Sequence, residues 1–330
     1  MNLNTLAKLA GVSVATVSKA FSGSDEISDE TRARIFSLAR EHGCFDKYNK
    51  NKFDKKVIAV IAPELNSDYY TAFLTILDRE ITEQGGIMTV SPSNFSAERE
   101  AELFSYYSSY CKADGIIVIG SGKRIQNPFL IPAVSIGGLG NVVHVDSIQL
   151  DMSRAMEDAV AHLKQLGHRN IGFVGEPLTK GKTDYFLESM QALELPVRRE
   201  WIRISDERFE RAGVGIMEQW LSEGMPLPTA IVTAYDYIAI GVIQTLKKHG
   251  IRVPQDVSVI GSDDITVAPY LETSLSTIRT HTDTACRMAV ELIMKKLENP
   301  HYSPRQTITL YSEFIPRETS GDAKDACDSF

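Results

Sequence analysis

Apolar positions at the start of the chain recur with the period of short α-helices. They form three stripes: Leu6, Ala7 and Ala10, then Val14, Val17 and Phe21, then Ile35, Leu38 and Ala39. Gly11 separates the first two stripes, and Ser13 and Ser28 offer side-chain oxygens as N-caps of the second and third helices. Two helices this short cannot bury a core without a third. The pattern therefore predicts a three-helix helix-turn-helix headpiece over residues 1–45.

After a polar, basic linker over residues 46–56, short apolar runs alternate with amphipathic stretches. Strands are predicted over 57–63, 87–92, 115–120, 133–138, 170–175, 229–234, 257–261 and 306–315. Helices are predicted over 69–84, from Ser96 onward, and over 151–166, 183–194, 236–249 and 283–298. This alternation is typical of parallel sheets with helices on both faces, and its two series indicate two lobes. The core is expected over 57–320, with a flexible polar tail over 321–330.

The formal charge is distributed unevenly between these parts. The chain has 330 residues and a net charge of −8, of which residues 1–56 carry +3 and the remainder −11. A basic headpiece on an acidic body favours local attraction to phosphate. The chain shows no apolar core of a signal peptide and no apolar run approaching the roughly 18 residues of a membrane span. We therefore expect a cytoplasmic protein that has no membrane partner.

The second predicted helix carries small and hydroxyl side chains opposite its apolar stripe. These are Ala15, Thr16 and Ser18, followed by Lys19. Such side chains let a helix approach base edges and phosphates closely, and a lysine supplies a positive contact in the groove. This surface favours DNA binding over a purely structural role for the headpiece.

Residues 10–19, AGVSVATVSK, resemble the A-G-V-S-x-x-T-V-S-[RK] signature of the LacI/GalR family of bacterial repressors. The resemblance implies a headpiece that binds palindromic operator DNA as a homodimer, since two headpieces on one site nearly double the binding energy. The DNA contacts expected in the headpiece are Leu6, Ser13, Val14, Ala15, Thr16, Ser18, Lys19, Ser28 and Thr31.

The linker departs from the family's hinge, Y-x-P-N-x-x-A-R-x-L, which becomes helical on DNA and inserts its Leu into the minor groove. Aligned on Gly43, this chain has Asp46 for the Pro, Lys50 for the Ala and Phe53 for the Leu. Phe53 is a candidate wedge between base pairs. The alternative is a flexible tether whose lysines contact phosphates.

The second half also resembles the family. Residues 235–241 match [ND]-D-x-x-A-x-G, residues 249–265 match its G-x-x-V-P-x-D-[IV]-S-[VL]-[IV]-G-[FY]-D-[DN] run, and residues 275–278 match L-[ST]-T-[IV]. The resemblance implies two Rossmann-like lobes with a ligand in the cleft between them, and crossings near 152–156, 279–283 and 310–316. The expected fold is thus α/β: the helix-turn-helix headpiece plus a two-lobed, periplasmic-binding-protein-like core of doubly wound parallel sheets.

In such sheets the loops after the strands face the crevice, so effector contacts are expected from residues near those loops. The candidates are Tyr69, Tyr70, Asp146, Asp184, Phe186, Tyr235, Asp236, Asp263 and Arg279. Carboxylates that accept hydroxyl hydrogen bonds and aromatic faces that stack on C–H groups suit a sugar. Taken singly, Asp236 is equally an N-cap, Asp263 a turn residue and Arg279 an ion-pair partner.

Two positions depart from the sugar-binding members. If Met190 stands for the aromatic residue of their R-x-x-G-[FYW] run, Phe186 replaces its Arg, and Tyr235 stands where several members have Asn. Without that Arg, the site lacks a side chain that can donate two hydrogen bonds to ligand hydroxyls or to a carboxylate. The effector is then less polar, larger, or bound by Asp184 and Lys182 instead.

Enzyme motifs are lacking. No G-x-G-x-x-G loop follows the first core strand, residues 120–123 lack the spacing of a phosphate loop, and the histidines and four cysteines lack metal-ligand spacing. We expect no enzymatic activity, cofactor or metal. The sequence predicts a repressor of a carbohydrate-utilisation operon controlled by a small sugar-like effector. The alternative is a cytoplasmic sugar-binding or sugar-modifying protein with a vestigial headpiece.

Overall fold

A computed structural model describes residues 1–22, 24–48, 54–111, 113–120, 125, 127, 131–137, 145–299 and 304–323. The chain forms two compact units, residues 1–56 and 57–330. Phe53 of the predicted hinge and residues 324–330 of the predicted tail lie outside the described residues. Within the described ranges, no helix is long and apolar enough to span a membrane.

The first unit contains four helices in its described part: α1 Leu3–Ala10, α2 Val14–Phe21, α3 Asp29–Glu41 and α4 Phe45–Tyr48. Asn2, Ser13 and Ser28 each accept a hydrogen bond from a backbone N–H in the first turn of the helix that follows, as expected for the two serines. Gly11 ends α1 with a φ of 64°, a conformation that glycine adopts without steric cost. The predicted helix-turn-helix arrangement is confirmed.

The core of this unit lies where α1, α2 and α3 meet, and its buried members include Leu6, Val17, Ala20, Phe21 and Ile35. Val14 was expected in the apolar stripe of α2, but its side chain is exposed. The buried stripe of α2 is instead formed by residues 17, 20 and 21, which lie on one side of a helix.

The short helix α4 packs on this core through aromatic rings. The Phe45 ring lies 5.8 Å from that of Phe21 and 5.1 Å from that of Phe36. The Tyr48 ring lies 5.9 Å from that of Phe21, and its hydroxyl donates to the Met1 carbonyl at 2.8 Å. The described part of the headpiece thus continues through Tyr48.

Replacing Ser13 with alanine should loosen α2 without unfolding the core unit. The Thr16 N–H donates to Ser13 Oγ at 3.0 Å, and losing an N-cap of this kind costs about 1 kcal/mol. Hydrogen exchange followed by mass spectrometry on the full chain should show faster exchange in residues 14–21, with residues 57–320 unchanged. Unchanged exchange in residues 14–21 would show that the cap does not stabilise α2.

The second unit is built from parallel strands and helices. The strands are β1 Val57–Ala62, β2 Ile87–Pro92, β3 Gly115–Gly120, β4 Ala133–Gly137, β5 Asp146–Asp151, β6 Ile171–Gly175, β7 Ile202–Ile204, β8 Ala230–Thr233, β9 Ser258–Ile260, β10 Thr277–Arg279, β11 Thr307–Tyr311 and β12 Glu313–Ile315. The helices are α5 Asp68–Glu83, α6 Ala97–Ser105, α7 Ser153–Gln165, α8 Lys180–Ala192, α9 Glu210–Ser222, α10 Asp236–Lys248 and α11 Thr282–Glu298.

Two parallel sheets define the two lobes. Lobe 1 has strand order β11-β5-β4-β3-β1-β2, and lobe 2 has order β7-β6-β8-β9. Helices α5 and α11 pack together over one face of the first sheet, while α7 and α8 pack together in lobe 2. The predicted α/β class with doubly wound parallel sheets is confirmed.

The chain passes between the lobes three times, at 151–153, 279–282 and 311–313. The last passage splits the strand predicted over 306–315, because β11 pairs with β5 while β12 pairs antiparallel with β10. The sequence pattern did not predict β5, β7, α9 or β10. Strands β5, β7 and β10 are short, which weakens their apolar signal. Helix α9, by contrast, buries an apolar stripe at helical spacing, formed by Ala212, Ile216, Met217 and Trp220, and this signal was overlooked.

The contact between α9 and α10 requires glycine. A Cβ on Gly213 would overlap the Ile238 carbonyl oxygen, and one on Gly241 would overlap that of Glu210. This close approach fixes the start of α9, and therefore the preceding loop that carries Arg208 and Phe209 toward the other lobe.

Candidate functional site

The headpiece presents a polar surface on α2. Ala15, Ser18 and Lys19 are exposed, Thr16 is half-buried, and Val14 adds an exposed apolar side chain. The Ser13 and Thr16 hydroxyls are 2.8 Å apart, which orients both at the N-terminus of α2. A helix surface of small, hydroxyl and cationic side chains is suited to the major groove.

Three other residues predicted to contact DNA are Leu6, Ser28 and Thr31, of which Ser28 is exposed and Thr31 half-buried. Leu6 is instead a core residue: its side chain is fully buried, so it has no surface to offer to DNA. Ser28 caps α3, and its hydroxyl donates to Thr31 Oγ1 at 2.9 Å. Lys19 forms an exposed ion pair with Glu26, which a phosphate could replace at little cost.

The second unit contains a cavity of about 310 Å³ between the two lobes. Its described lining is Glu64, Ser67, Tyr69, Tyr70, Phe95, Gly137, Leu150, Met152, Glu176, Leu178, Thr179, Gly181, Lys182, Tyr185, Arg208, Phe209, Tyr235, Tyr237, Asp263, Ile265 and Thr280. Most of these residues follow the carboxyl end of a parallel strand or begin the next helix. That edge is where doubly wound sheets bind ligands.

One end of the cavity holds a cluster of three charged residues, which we call the Arg208 cluster. Arg208 of lobe 2 donates from both terminal nitrogens to Glu64 of lobe 1, at 2.7 and 3.1 Å. Its Nε donates to Glu176 of lobe 2 at 3.1 Å. One guanidinium therefore bridges two nearly buried carboxylates, one from each lobe, in the fork geometry that favours strong pairing.

Aromatic rings enclose the Arg208 cluster. The guanidinium carbon lies 5.2 Å from the centre of the Phe95 ring and 4.6 Å from that of Phe209. Phe209 has a φ of 57°, which is costly for an aromatic residue, and its N–H donates to the Tyr235 hydroxyl at 2.9 Å. Burial raises the pKa of the Glu176 carboxyl, against the opposing charge of Arg208.

A second charged pair, Lys182 with Asp263, also lines the cavity. Lys182 Nζ donates to Asp263 Oδ1 at 2.7 Å and lies 6.0 Å from the centre of the Tyr69 ring. Burial raises the pKa of the Asp263 carboxyl, and Lys182 opposes that rise. Burial likewise raises the pKa values of the Tyr69 and Tyr70 hydroxyls, so both are neutral donors at physiological pH.

The structure brings together four of the predicted effector residues: Tyr69, Tyr70, Tyr235 and Asp263 all line the cavity. Tyr237, which was not predicted, joins them and donates to Asp68 across the lobes. Five aromatic rings besides Tyr69 and Tyr70 reach the lining, namely Phe95, Tyr185, Phe209, Tyr235 and Tyr237.

The other five predicted residues lie outside this lining. Asp236 is fully buried and accepts hydrogen bonds from the Ile265 N–H and the Thr277 hydroxyl. Phe186 is a core residue that packs on Phe173. Both side chains point into lobe 2, so they are structural.

The remaining three are held by charge pairs or backbone groups. Asp146 is buried in lobe 1, where it pairs with Lys296 at 2.5 Å. Asp184 pairs with Lys180 at 2.6 Å on the outer part of α8, and Arg279 pairs with Asp264 at 2.6 Å and with Glu313 at 3.1 Å. Each of these three side chains already has an oppositely charged partner within the protein, so its position is explained without a ligand.

Sequence reasoning missed Glu64, Glu176 and Arg208. Glu64 and Glu176 do follow strands β1 and β6, a position that could have indicated them. Arg208 lies before α9, a helix that was not predicted, and it belongs to no recognised motif.

Residues 2–44 match the family profile described as bacterial regulatory proteins, lacI family, and residues 160–320 match the periplasmic binding protein-like domain. The chain is 25% identical to the transcriptional repressor CytR of Escherichia coli strain K12 over 311 residues, covering 91% of this chain and 90% of that protein. It is also 25% identical to the ribose operon repressor of Haemophilus influenzae, covering 96% and 98% of the two chains.

Among solved structures, the lac repressor dimer bound to operator and the anti-inducer ONPF is similar to the whole chain. The TM-score is 0.70 at 19% identity, with 97% of this chain and 99% of that chain covered. A similarity at this identity shows a common fold.

Proposed function

Because the chain belongs to the LacI family of bacterial regulatory proteins, we propose that it is a sequence-specific repressor controlled by a small ligand. The ligand binds in the cavity between the lobes and is sugar-like. The protein acts in the cytoplasm by binding, not by catalysis. The genes it controls serve carbohydrate utilisation.

The observation that carries this proposal is the pairing of Arg208 with Glu64 across the cavity. A ligand that contacts both sides of this cavity changes the relative stability of lobe arrangements, because it binds one arrangement more tightly than another. If the two lobe arrangements also differ in their affinity for DNA, ligand binding changes that affinity. The coupling free energy between two such sites is about 1–3 kcal/mol in typical allosteric proteins.

The headpiece is proposed to act in pairs. A single α2 reaches few bases, whereas two headpieces of a homodimer read the halves of a palindrome about one helical turn apart. The proposal is tested by retrieving genomic DNA fragments with the purified full chain. Enrichment of palindromic sites with steep salt dependence supports it, and retention no different from random DNA contradicts it and favours a binding protein with a vestigial headpiece.

Replacing Asp263 with asparagine should weaken ligand binding at least about tenfold and leave DNA binding unchanged. The carboxylate is a buried acceptor in the cavity, and hydrogen bonds to charged groups are worth about 1.5–3 kcal/mol. Asparagine keeps the side-chain shape and tolerates the positive φ of 104° at this position. Calorimetry measures the ligand affinity and fluorescence anisotropy measures the DNA affinity. Equal losses in both would indicate misfolding, and unchanged ligand affinity would remove Asp263 from the site.

A further inference from the structure

The cavity has an excess of negative charge in its described lining. Glu64, Glu176 and Asp263 supply three carboxylates, whereas Arg208 and Lys182 supply two cations. The three carboxylate side chains are 90% or more buried. A net negative charge at a buried site costs desolvation free energy unless a nearby cation compensates it.

The imbalance is concentrated in the Arg208 cluster, where two carboxylates share one guanidinium. The Phe95 and Phe209 rings flank the same cation, so the surroundings combine negative charge with aromatic faces. Aromatic faces and carboxylates are the two features that stabilise a partly desolvated cation.

Acceptor capacity remains at Glu64 and Asp263, whereas Glu176 also accepts from the Tyr235 hydroxyl and the Thr179 N–H. An ionised carboxylate offers about four lone-pair sites. Glu64 accepts two hydrogen bonds from Arg208, and Asp263 accepts one from Lys182. Both cations, by contrast, are already paired, so an anionic ligand would have to compete with a protein carboxylate for its partner.

Resting on the proposed function, we infer that the ligand of this cavity is a small cationic polyol, of the class of amino sugars. Its ammonium group compensates the surplus carboxylate of the Arg208 cluster, its hydroxyls donate to the remaining acceptor sites, and its C–H face stacks on the tyrosine rings. The cavity volume of about 310 Å³ is at the lower end for ligand sites, which suits one or two sugar rings. The charges of the described lining disfavour sugar phosphates and sugar acids.

The test is calorimetry of the full chain with nine ligands, built on three sugar rings and differing in charge within each series. These are glucosamine, glucose and glucose 6-phosphate, and the corresponding galactose and mannose compounds. In at least one of the three series the amine should bind about tenfold or more tighter than the neutral sugar, because its contact to carboxylate is charge-assisted. The phosphate should be the weakest of each series.

Glu176→Gln removes the surplus charge while keeping a side chain that can accept from Arg208. In this variant the amine and the neutral sugar should bind with affinities within about threefold of each other. Glu207→Gln is the matched control, because this exposed neighbour of Arg208 lies outside the lining and loses the same charge. It should keep the full preference. If Glu176→Gln does not fold, Glu64→Gln makes the same test.

Three results would overturn the inference: a neutral sugar that binds as tightly as its amine in every series, a phosphate that binds most tightly, or binding of none of the nine. The proposed function is judged separately, by retrieval of genomic DNA. Palindromic enrichment together with any of these three results would leave a repressor whose ligand is of another class.

Discussion

Arg208→Ala should destabilise the core unit by about 2–4 kcal/mol, less than for a fully buried pair because Arg208 is 32% exposed. The substitution leaves Glu64 and Glu176 unpaired in a place from which water is largely excluded. It also removes the only ion pair that joins the two lobes across the described cavity lining. Urea unfolding of the full chain, followed by circular dichroism, measures the change.

The matched control is Arg252→Ala. Arg252 makes a similar two-point contact to Asp256, at 2.9 and 3.0 Å, but its side chain is 65% exposed. Its loss should change the free energy of unfolding much less than the loss of Arg208, because an ion pair in solvent contributes little to stability. Equal effects of the two substitutions would show that the bridge between the lobes does not contribute to stability.

The loss caused by Arg208→Ala should depend on pH. Burial already raises the pKa of Glu176 and Arg208 opposes that rise, so removing Arg208 raises this pKa further. A carboxyl with a raised folded-state pKa destabilises the fold above that pKa and takes up a proton below it. The loss of stability relative to the unsubstituted chain should therefore shrink as the pH falls through the raised pKa of Glu176. Glu64→Gln, combined with Arg208→Ala, should recover part of the stability at pH 7.

Lys19→Ala should weaken binding to the operator about a hundredfold in the proposed homodimer, about tenfold for each headpiece, while ligand binding stays unchanged. Lys19 is exposed on α2 beside Ala15 and Ser18, and its pair with Glu26 is exposed on both sides. Losing one phosphate contact per headpiece should also make the plot of the logarithm of the binding constant against the logarithm of the salt concentration less steep, by about 2. Fluorescence anisotropy on a retrieved palindromic site measures both quantities.

Lys248→Ala changes the net charge by the same amount on the surface of the core unit, where Lys248 pairs with Glu218 at 2.7 Å. It should leave DNA affinity within about twofold, because the salt-dependent affinity comes from the cations that contact phosphates directly. A comparable loss in both variants would mean that overall charge, and not the α2 surface, determines DNA affinity.

Local signals were sufficient for the headpiece. The headpiece helices begin at the N-caps Ser13 and Ser28, and α1 ends at the αL residue Gly11. Each of these residues acts within one turn of its helix, so the neighbouring sequence is enough to identify it. Val14 shows the limit of that information. Helical spacing places it near the apolar stripe, but the packing of three helices buries Ala20 instead.

The candidate site could be predicted only in part, for two physical reasons. Asp236 and Asp263 both follow strands, yet Asp236 is turned inward by the Ile265 N–H and the Thr277 hydroxyl while Asp263 meets Lys182. Sequence position does not reveal the direction of a side chain. Arg208 and Glu64 are 144 residues apart, and their pairing depends on how the lobes approach each other.

The central claim, that a ligand between the lobes controls the headpieces, is tested most directly by DNA affinity with and without ligand. Fluorescence anisotropy of the full chain on a retrieved palindromic site would be measured with each of the nine sugars. The account predicts that at least one of them changes the dissociation constant by about fivefold or more, and that Asp263→Asn removes this response. An affinity that stays constant with a ligand shown by calorimetry to bind in the cavity would contradict it.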